Sequence, residues 1–284
     1  MSIEIKNLTK NFGDTCALDD VTLSFGENKI FGLLGNNGAG KSTLLGIVTD
    51  RLYPTSGTVE VDGENVTNND TALSKVFLVA EQNMFPEDMS VKKAFNTAQL
   101  FYPDFDRAYA EKLSAKFGLN TKKKIKALST GYSSIFRLIL GLSVNTPYLL
   151  FDEPVLGLDA QHRDMFYRLL MEKYAEKPCT IIVSTHLIAE AAELIEHTVI
   201  IRDGRIIRDC PSSDLTANVY SVSGPGMLVD AYLSDKHVLT VNTLGGLKTA
   251  CVEGGTAALP EGLVLSRVNL QDYFISLMEE EDRK

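Results

Sequence analysis

The stretch Gly35-Asn36-Asn37-Gly38-Ala39-Gly40-Lys41-Ser42-Thr43 narrows most sharply what this chain can fold into. Glycines at 35 and 40 followed by Lys and Ser make a phosphate-cradling loop when a buried strand precedes them and a helix follows. Both neighbours are present. Lys29-Ile30-Phe31-Gly32-Leu33-Leu34 reads as a buried strand, and Leu44, Leu45 and Val48 have the spacing of a helix's apolar face. Glycines let the backbone turn its N–H groups inward, and the helix N-terminus adds partial positive charge, so a polyphosphate meets donors already aimed at it. In that geometry Lys41 reaches the outer phosphates and Ser42 ligates magnesium. The bland alternative is a glycine turn leading into an ordinary helix, and the strand–loop–helix context counts against it.

At 284 residues the chain has room for one large α/β domain and a small second one. A charged fraction of 23% and a hydrophobic fraction of 44% are ordinary for a folded globular protein. No apolar run approaches the ~18 residues of a membrane span, and Met1 to Lys6 lacks the layout of a signal peptide, so a cytoplasmic protein is expected. The net charge of -9 argues against a broad nucleic-acid-binding face, and the one basic run, Lys122-Lys123-Lys124, is explained as well by a solvated loop. Cys16, Cys179, Cys210 and Cys251 show no C-x-x-C spacing, which fits reduced thiols and no structural metal.

Before the loop, two short strands are expected between Ile3 and Phe25, joined by Asn11-Phe12-Gly13-Asp14. Phe12 is either a loop anchor or a platform on which a base stacks. Val76 to Ala80 forms an apolar strand that ends near Gln82, where an amide could meet a metal or water at the sheet's edge. From about Met89 to Asn145 strand signals give way to helical spacing, including Val91, Phe95 and Ala98, a helix ending at Gly118, and a helix from Ser134 to Val144 preceded by Ser129-Thr130-Gly131. Tyr148 to Phe151 is a buried strand that delivers Asp152 and Glu153 at its carboxyl end. Two acids there are costly unless charge meets them. Asp152 can hold a nucleotide's magnesium and Glu153 can polarise an attacking water. Thr180 to Thr185 is a further apolar strand ending in His186, and Thr198 to Ile207 is a hairpin turned by Asp203-Gly204.

Taken in order, Phe12, Gly35 to Thr43, Gln82, Leu128 to Tyr132, Phe151 to Pro154, Gly157-Leu158-Asp159 and His186 resemble the nucleotide-binding subunit of an ATP-binding cassette (ABC) transporter. The resemblance covers roughly Met1 to Leu215. It implies an α/β fold, a phosphate-loop NTPase of ABC type with a helical insertion subdomain, an N-terminal antiparallel β subdomain and a small C-terminal α+β extension. The implied domains are residues 1–217, with the helical subdomain at about 85–146, and an accessory region at 218–284. ATP and Mg2+ are the implied ligands. Phe12 is similar to the adenine-stacking aromatic, and Gly35, Asn36, Asn37, Gly38, Ala39, Gly40, Lys41, Ser42 and Thr43 form the phosphate loop. Ser42, Gln82 and Asp152 correspond to the magnesium site, and Glu153, His186 and Gln82 to the hydrolytic group. Ser129 and Gly131 look like signature residues that close over ATP on a second subunit, with Asp159 at the seam. The implied partners are that second ATPase subunit, identical or related, and a membrane permease on a separate chain. The latter would hold the protein at the cytoplasmic face and be received near Asn83 to Phe105.

Two departures stand out. The family's signature reads Leu-Ser-Gly-Gly-Gln, whereas Thr130 replaces the first Gly here and Tyr132 the Gln, and Leu156 stands where a small or polar residue is common. The wording Ser-Thr-Gly-Tyr with Glu-Pro-Val-Leu-Gly-Leu-Asp resembles a bacterial export-type subgroup that serves small molecules or peptides. The alternatives are a non-transport ABC ATPase acting on DNA or the ribosome, and a regulatory ATP-binding subunit with weak hydrolysis. Beyond Leu215, His237 to Thr243 and Leu247 to Glu253 alternate like a hairpin around Gly245-Gly246. Asn269 can cap a last helix with Leu270, Tyr273, Phe274, Leu277 and Met278 on one face.

Overall fold

The computed structural model describes residues 1–82, 84–256 and 259–283. The chain divides into two compact units, Met1–Asp209 and Cys210–Lys284. The first is built on a six-stranded sheet in the order Arg205–Pro211, His197–Arg202, Ile30–Leu34, Thr180–Thr185, Tyr148–Asp152, Val76–Val79. The last five of these run parallel to one another. Parallel strands covered on both faces need continuous apolar runs, and Ile30–Leu34 and Val76–Val79 are buried at every position.

A second sheet is antiparallel, in the order Thr15–Gly26, Ser2–Phe12, Ser56–Val61, Glu64–Asn65. Its first two strands are longer than the short pair expected. They pair from Ser2 opposite Gly26 out to Phe12 opposite Thr15, interrupted by register shifts. Those shifts break the alternation that would have marked long strands. Phe12 therefore ends a strand instead of riding a loop. The helix Lys41–Val48 buries Leu44, Leu45, Ile47 and Val48 in a core that includes Ile3, Phe25 and Val59 of the antiparallel sheet and Leu33, Leu150 and Val199 of the parallel one.

The helical insertion consists of Val91–Phe101, Arg107–Lys116 and Thr130–Ser143, capped by Ser90, Asp106 and Ser129 respectively. The third helix begins at Thr130, not Ser134, because the Ser129 side chain accepts the Tyr132 N–H at 3.4 Å. Gly118, at φ 67, ends the second. Phe95 packs 6.1 Å from Phe105 and 5.8 Å from Phe136, ring centre to ring centre, and these rings are the insertion's own core.

The second unit holds a four-stranded antiparallel sheet, His237–Leu244, Leu247–Glu253, Val219–Pro225, Val264–Arg267. Gly226–Leu233 covers one face, with Val229 and Tyr232 against Val222 and Val252. The hairpin around Gly245-Gly246 and the Asn269-capped helix Leu270–Glu281 form as expected, and Leu270, Tyr273, Phe274, Leu277 and Met278 are all buried. The Ser212–Ala217 helix packs against this last helix, within the second unit.

Among the polar contacts between the two sheets of the first unit, one centres on Asp62. The Tyr148 hydroxyl donates to Asp62 Oδ1 at 2.5 Å, and Lys75 Nζ lies 2.9 Å from Asp62 Oδ2. Burial alone would raise the Asp62 carboxyl, but the Tyr148 hydroxyl and the Lys75 ammonium hold it below the usual range. Its stabilisation is present above the unfolded pKa of about 4 and is lost as pH falls through the lower folded value. Tyr148→Phe should cost about 1–3 kcal/mol at neutral pH and flatten the acid limb of stability, read by urea unfolding across pH. Phe95→Ala, at a position 0% exposed, should cost about 3–5 kcal/mol in the same assay.

Candidate functional site

Register builds the site. Leu34 lies beside Thr185, and Asp152 beside Ser184, so the residues that follow each strand, Gly35, His186 and Glu153, emerge together at one edge of the sheet. The carboxyl edge of a parallel sheet is where such folds bind ligands. Glu153 leaves its strand at φ 48, a left-handed conformation that costs a non-glycine residue about 1–3 kcal/mol. Its N–H still donates to Ser184 O at 2.8 Å.

The Glu153 carboxylate bridges two groups from other elements. Oε2 lies 2.9 Å from His186 Nδ1, which must carry the proton because a carboxylate only accepts, and 3.4 Å from the His186 backbone N–H. Oε1 faces Lys41 Nζ at 3.7 Å, too far for a hydrogen bond, and has no hydrogen-bond partner among the described residues. Lys41, 5% exposed, donates to Gly35 O at 2.7 Å and Asn36 O at 3.1 Å. Burial lowers the pKa of its ammonium, and the charges of Glu153 and Asp152 oppose that shift.

The loop around Lys41 is pinned from outside. Gly204 N–H donates to Ala39 O at 3.1 Å, and Ala39 N–H to Asn36 O at 3.1 Å. Gly40 sits at φ 111, and a Cβ there would come within 2.6 Å of Ala17 O, so only glycine fits. Gly38, at φ 83, would have nothing within 4 Å of an added Cβ, which leaves the loop open on that side. Asn36, Asn37, Gly38 and Ser42 are exposed and Thr43 is half-buried. Asp152, half-buried, accepts from Ser184 Oγ at 2.8 Å. Ser184 escaped the sequence reading; its signal was a hydroxyl beside Thr185 at the carboxyl end of the strand Thr180–Thr185, next to His186.

Among the described residues no hydrogen bond joins the other candidates to this cluster. Phe12 is 48% exposed with Lys10 Nζ 4.8 Å from its ring centre. Gln82 is exposed beside Ala80 and Arg137. Asn83 lies outside the described residues. Ser129 is exposed at its helix cap. A Cβ at Gly131 would stand 3.4 Å from Gly157 O, and Ser134 Oγ donates to Leu156 O at 3.0 Å, so the start of this helix is fastened to the Leu156-Gly157 loop of its own chain. Asp159 caps Ala160–Glu176, accepting the His162 N–H at 2.9 Å. That N–H, then the His162 ring, lowers the pKa of its carboxyl.

A family model described as ABC transporter matches residues 18–156. The phosphonates import ATP-binding protein PhnC 1 of Rhodopseudomonas palustris (strain HaA2) is 32% identical, over 76% of this chain and 84% of that protein. The bacitracin transport ATP-binding protein BcrA of Enterococcus faecalis is 27% identical, over 97% of this chain and 96% of that protein. Among solved structures, the dimeric bacterial ABC transporter cassette MJ0796 superposes with a TM-score of 0.66 at 25% identity, covering 74% of this chain and 98% of that one. With a phosphate loop whose lysine faces a carboxylate–histidine pair, and with these similarities, the chain belongs to the ABC transporter family, as one of its ATP-binding, ATP-hydrolysing subunits.

Proposed function

We propose that this subunit binds Mg-ATP between two copies of itself, or between itself and a related chain, and uses hydrolysis to drive a permease carried on a separate polypeptide. The observation that carries the reading is the Glu153 carboxylate set between Lys41 and His186. Lys41 would hold the outer phosphates and the loop N–H groups would cradle them. Glu153, fixed by His186, would take the proton of the attacking water, and His186 would contact the γ-phosphate. Gln82 would orient that water, Phe12 would stack on the adenine, and Ser129 and Gly131 would close over the nucleotide of the opposite copy with Asp159 at the seam.

The residues also suit magnesium. Ser42 presents an exposed hydroxyl, and Asp152 has one side-chain bond and spare lone pairs, which are hard oxygen donors. Magnesium bound by few protein ligands and completed by phosphate accords with the lack, among the described residues, of any cluster of three or more His, Cys, Asp or Glu able to hold a metal. When bound, it would neutralise charge on the phosphates.

Among the described residues no helix is long and apolar enough to cross a membrane. The permease would meet the helical insertion, where Leu100 and Phe101 are 82% and 73% exposed at the end of Val91–Phe101. The protein would thus sit at the cytoplasmic face. Export of a small molecule or peptide is supported by the subgroup wording around Ser129 and Glu153 and by the near-full-length similarity to a protein named for bacitracin transport.

Glu153→Gln is the test. It keeps the size of the side chain and removes the base, so phosphate release should fall about 10²–10⁴-fold while ATP-bound dimers accumulate, read by a phosphate assay and light scattering. Unchanged turnover would refute the assignment of Glu153.

A further inference from the structure

The first turn of the Asp159-capped helix sends side chains to two other elements. The His162 ring lies 2.8 Å from Asp159 Oδ2 through Nδ1 and stacks on Phe117, with ring centres 5.8 Å apart and planes 23° apart. Phe117 closes the Arg107–Lys116 helix of the insertion. Arg163 donates its backbone N–H to Asp159 O at 3.0 Å and pairs through Nη1 with Glu190 Oε1 at 2.9 Å. Glu190 belongs to Ile188–Ala191, the short helix entered directly after His186 and Leu187.

An exposed ion pair does little for stability, and a solvated surface contact is the plain reading of one. This pair is set differently. Arg163 and Glu190 are 27% and 34% exposed, and Arg163 Nε is buried with no hydrogen-bond partner among the described residues. So is the hydroxyl of Tyr167, on the next turn of the same helix and 7% exposed. A buried donor left unpaired costs about 1–3 kcal/mol, so this pair stands in a setting that is not fully satisfied. The helix turn that carries the Asp159 seam is thereby tied to the turn that carries His186 by one charged contact beside two unsatisfied groups.

We propose that Arg163 and Glu190 are positioning residues that transmit closure of a second copy on Asp159 to His186, and through it to the Glu153 carboxylate. Neither touches nucleotide in this scheme; they set where His186 stands when the seam is formed. His162 is the second arm, linking the same turn to the insertion that bears Ser129. The inference rests on the site roles proposed above.

Arg163→Gln should lower kcat about tenfold and bring the Hill coefficient for ATP toward about 1, since a small displacement of a positioned group is costly to turnover. Nucleotide affinity measured in a Glu153→Gln background should stay within about twofold, which separates positioning from binding. The charge exchange Arg163→Glu with Glu190→Arg should recover about half of the lost turnover or more. Should Arg163→Gln fail to fold, Glu190→Gln reads the same contact from its other end. If Glu153→Gln alone accumulates no ATP-bound dimer, the reading of the site falls and the tie with it. If that dimer forms and the Arg163→Gln turnover stays within about twofold of the parent, or the exchange recovers nothing, the tie alone is overturned.

Discussion

A lysine ammonium buried to 5% exposure needs oxygen around it, and most of the first unit is arranged to supply it. Lys41 meets two carbonyls of its own loop and, 3.7 Å away, the Glu153 carboxylate. The carbonyls are in place because Gly40 takes a conformation closed to other residues and Gly204 holds Ala39 from outside. The carboxylate is in place because the strand Tyr148–Asp152 stops in register with Thr180–Thr185 and the next residue accepts a left-handed φ. Moving any of these pieces leaves either a cation without anions or an anion without cations inside the edge of a sheet.

The apolar architecture around that cluster was largely legible. Continuous hydrophobic runs marked the buried parallel strands, and the residues at their ends, Asp152, Glu153 and His186, could be assigned to one edge because parallel strands end on the same side. The ordered motifs then named the family. Less of the antiparallel sheet could be seen, since register shifts between Ile5 and Asn11 scramble the alternation on which strand reading depends. In the second unit, Val219–Pro225, which ends in Gly-Pro and is given no element from sequence, pairs on both sides as an inner strand.

What the sequence could not show were the contacts between distant side chains. Nothing in the spacing of Glu153 and His186 says that they hydrogen-bond, because their distance is set by two strands and a crossover helix. The same holds for Arg163 with Glu190 and for Tyr148 with Asp62. Capping was the exception. Ser129, Asp159 and Asn269 each accept an N–H three residues on, a local bond that pattern alone can find.

The second unit closes its own sheet over its own small core, with Val222, Val229 and Val252 at its centre. A module that satisfies its own backbone and buries its own apolar surface has a core of its own, made of different residues from the core under the phosphate loop. Relatives differ in how much of this chain they match, 76% in one and 97% in another.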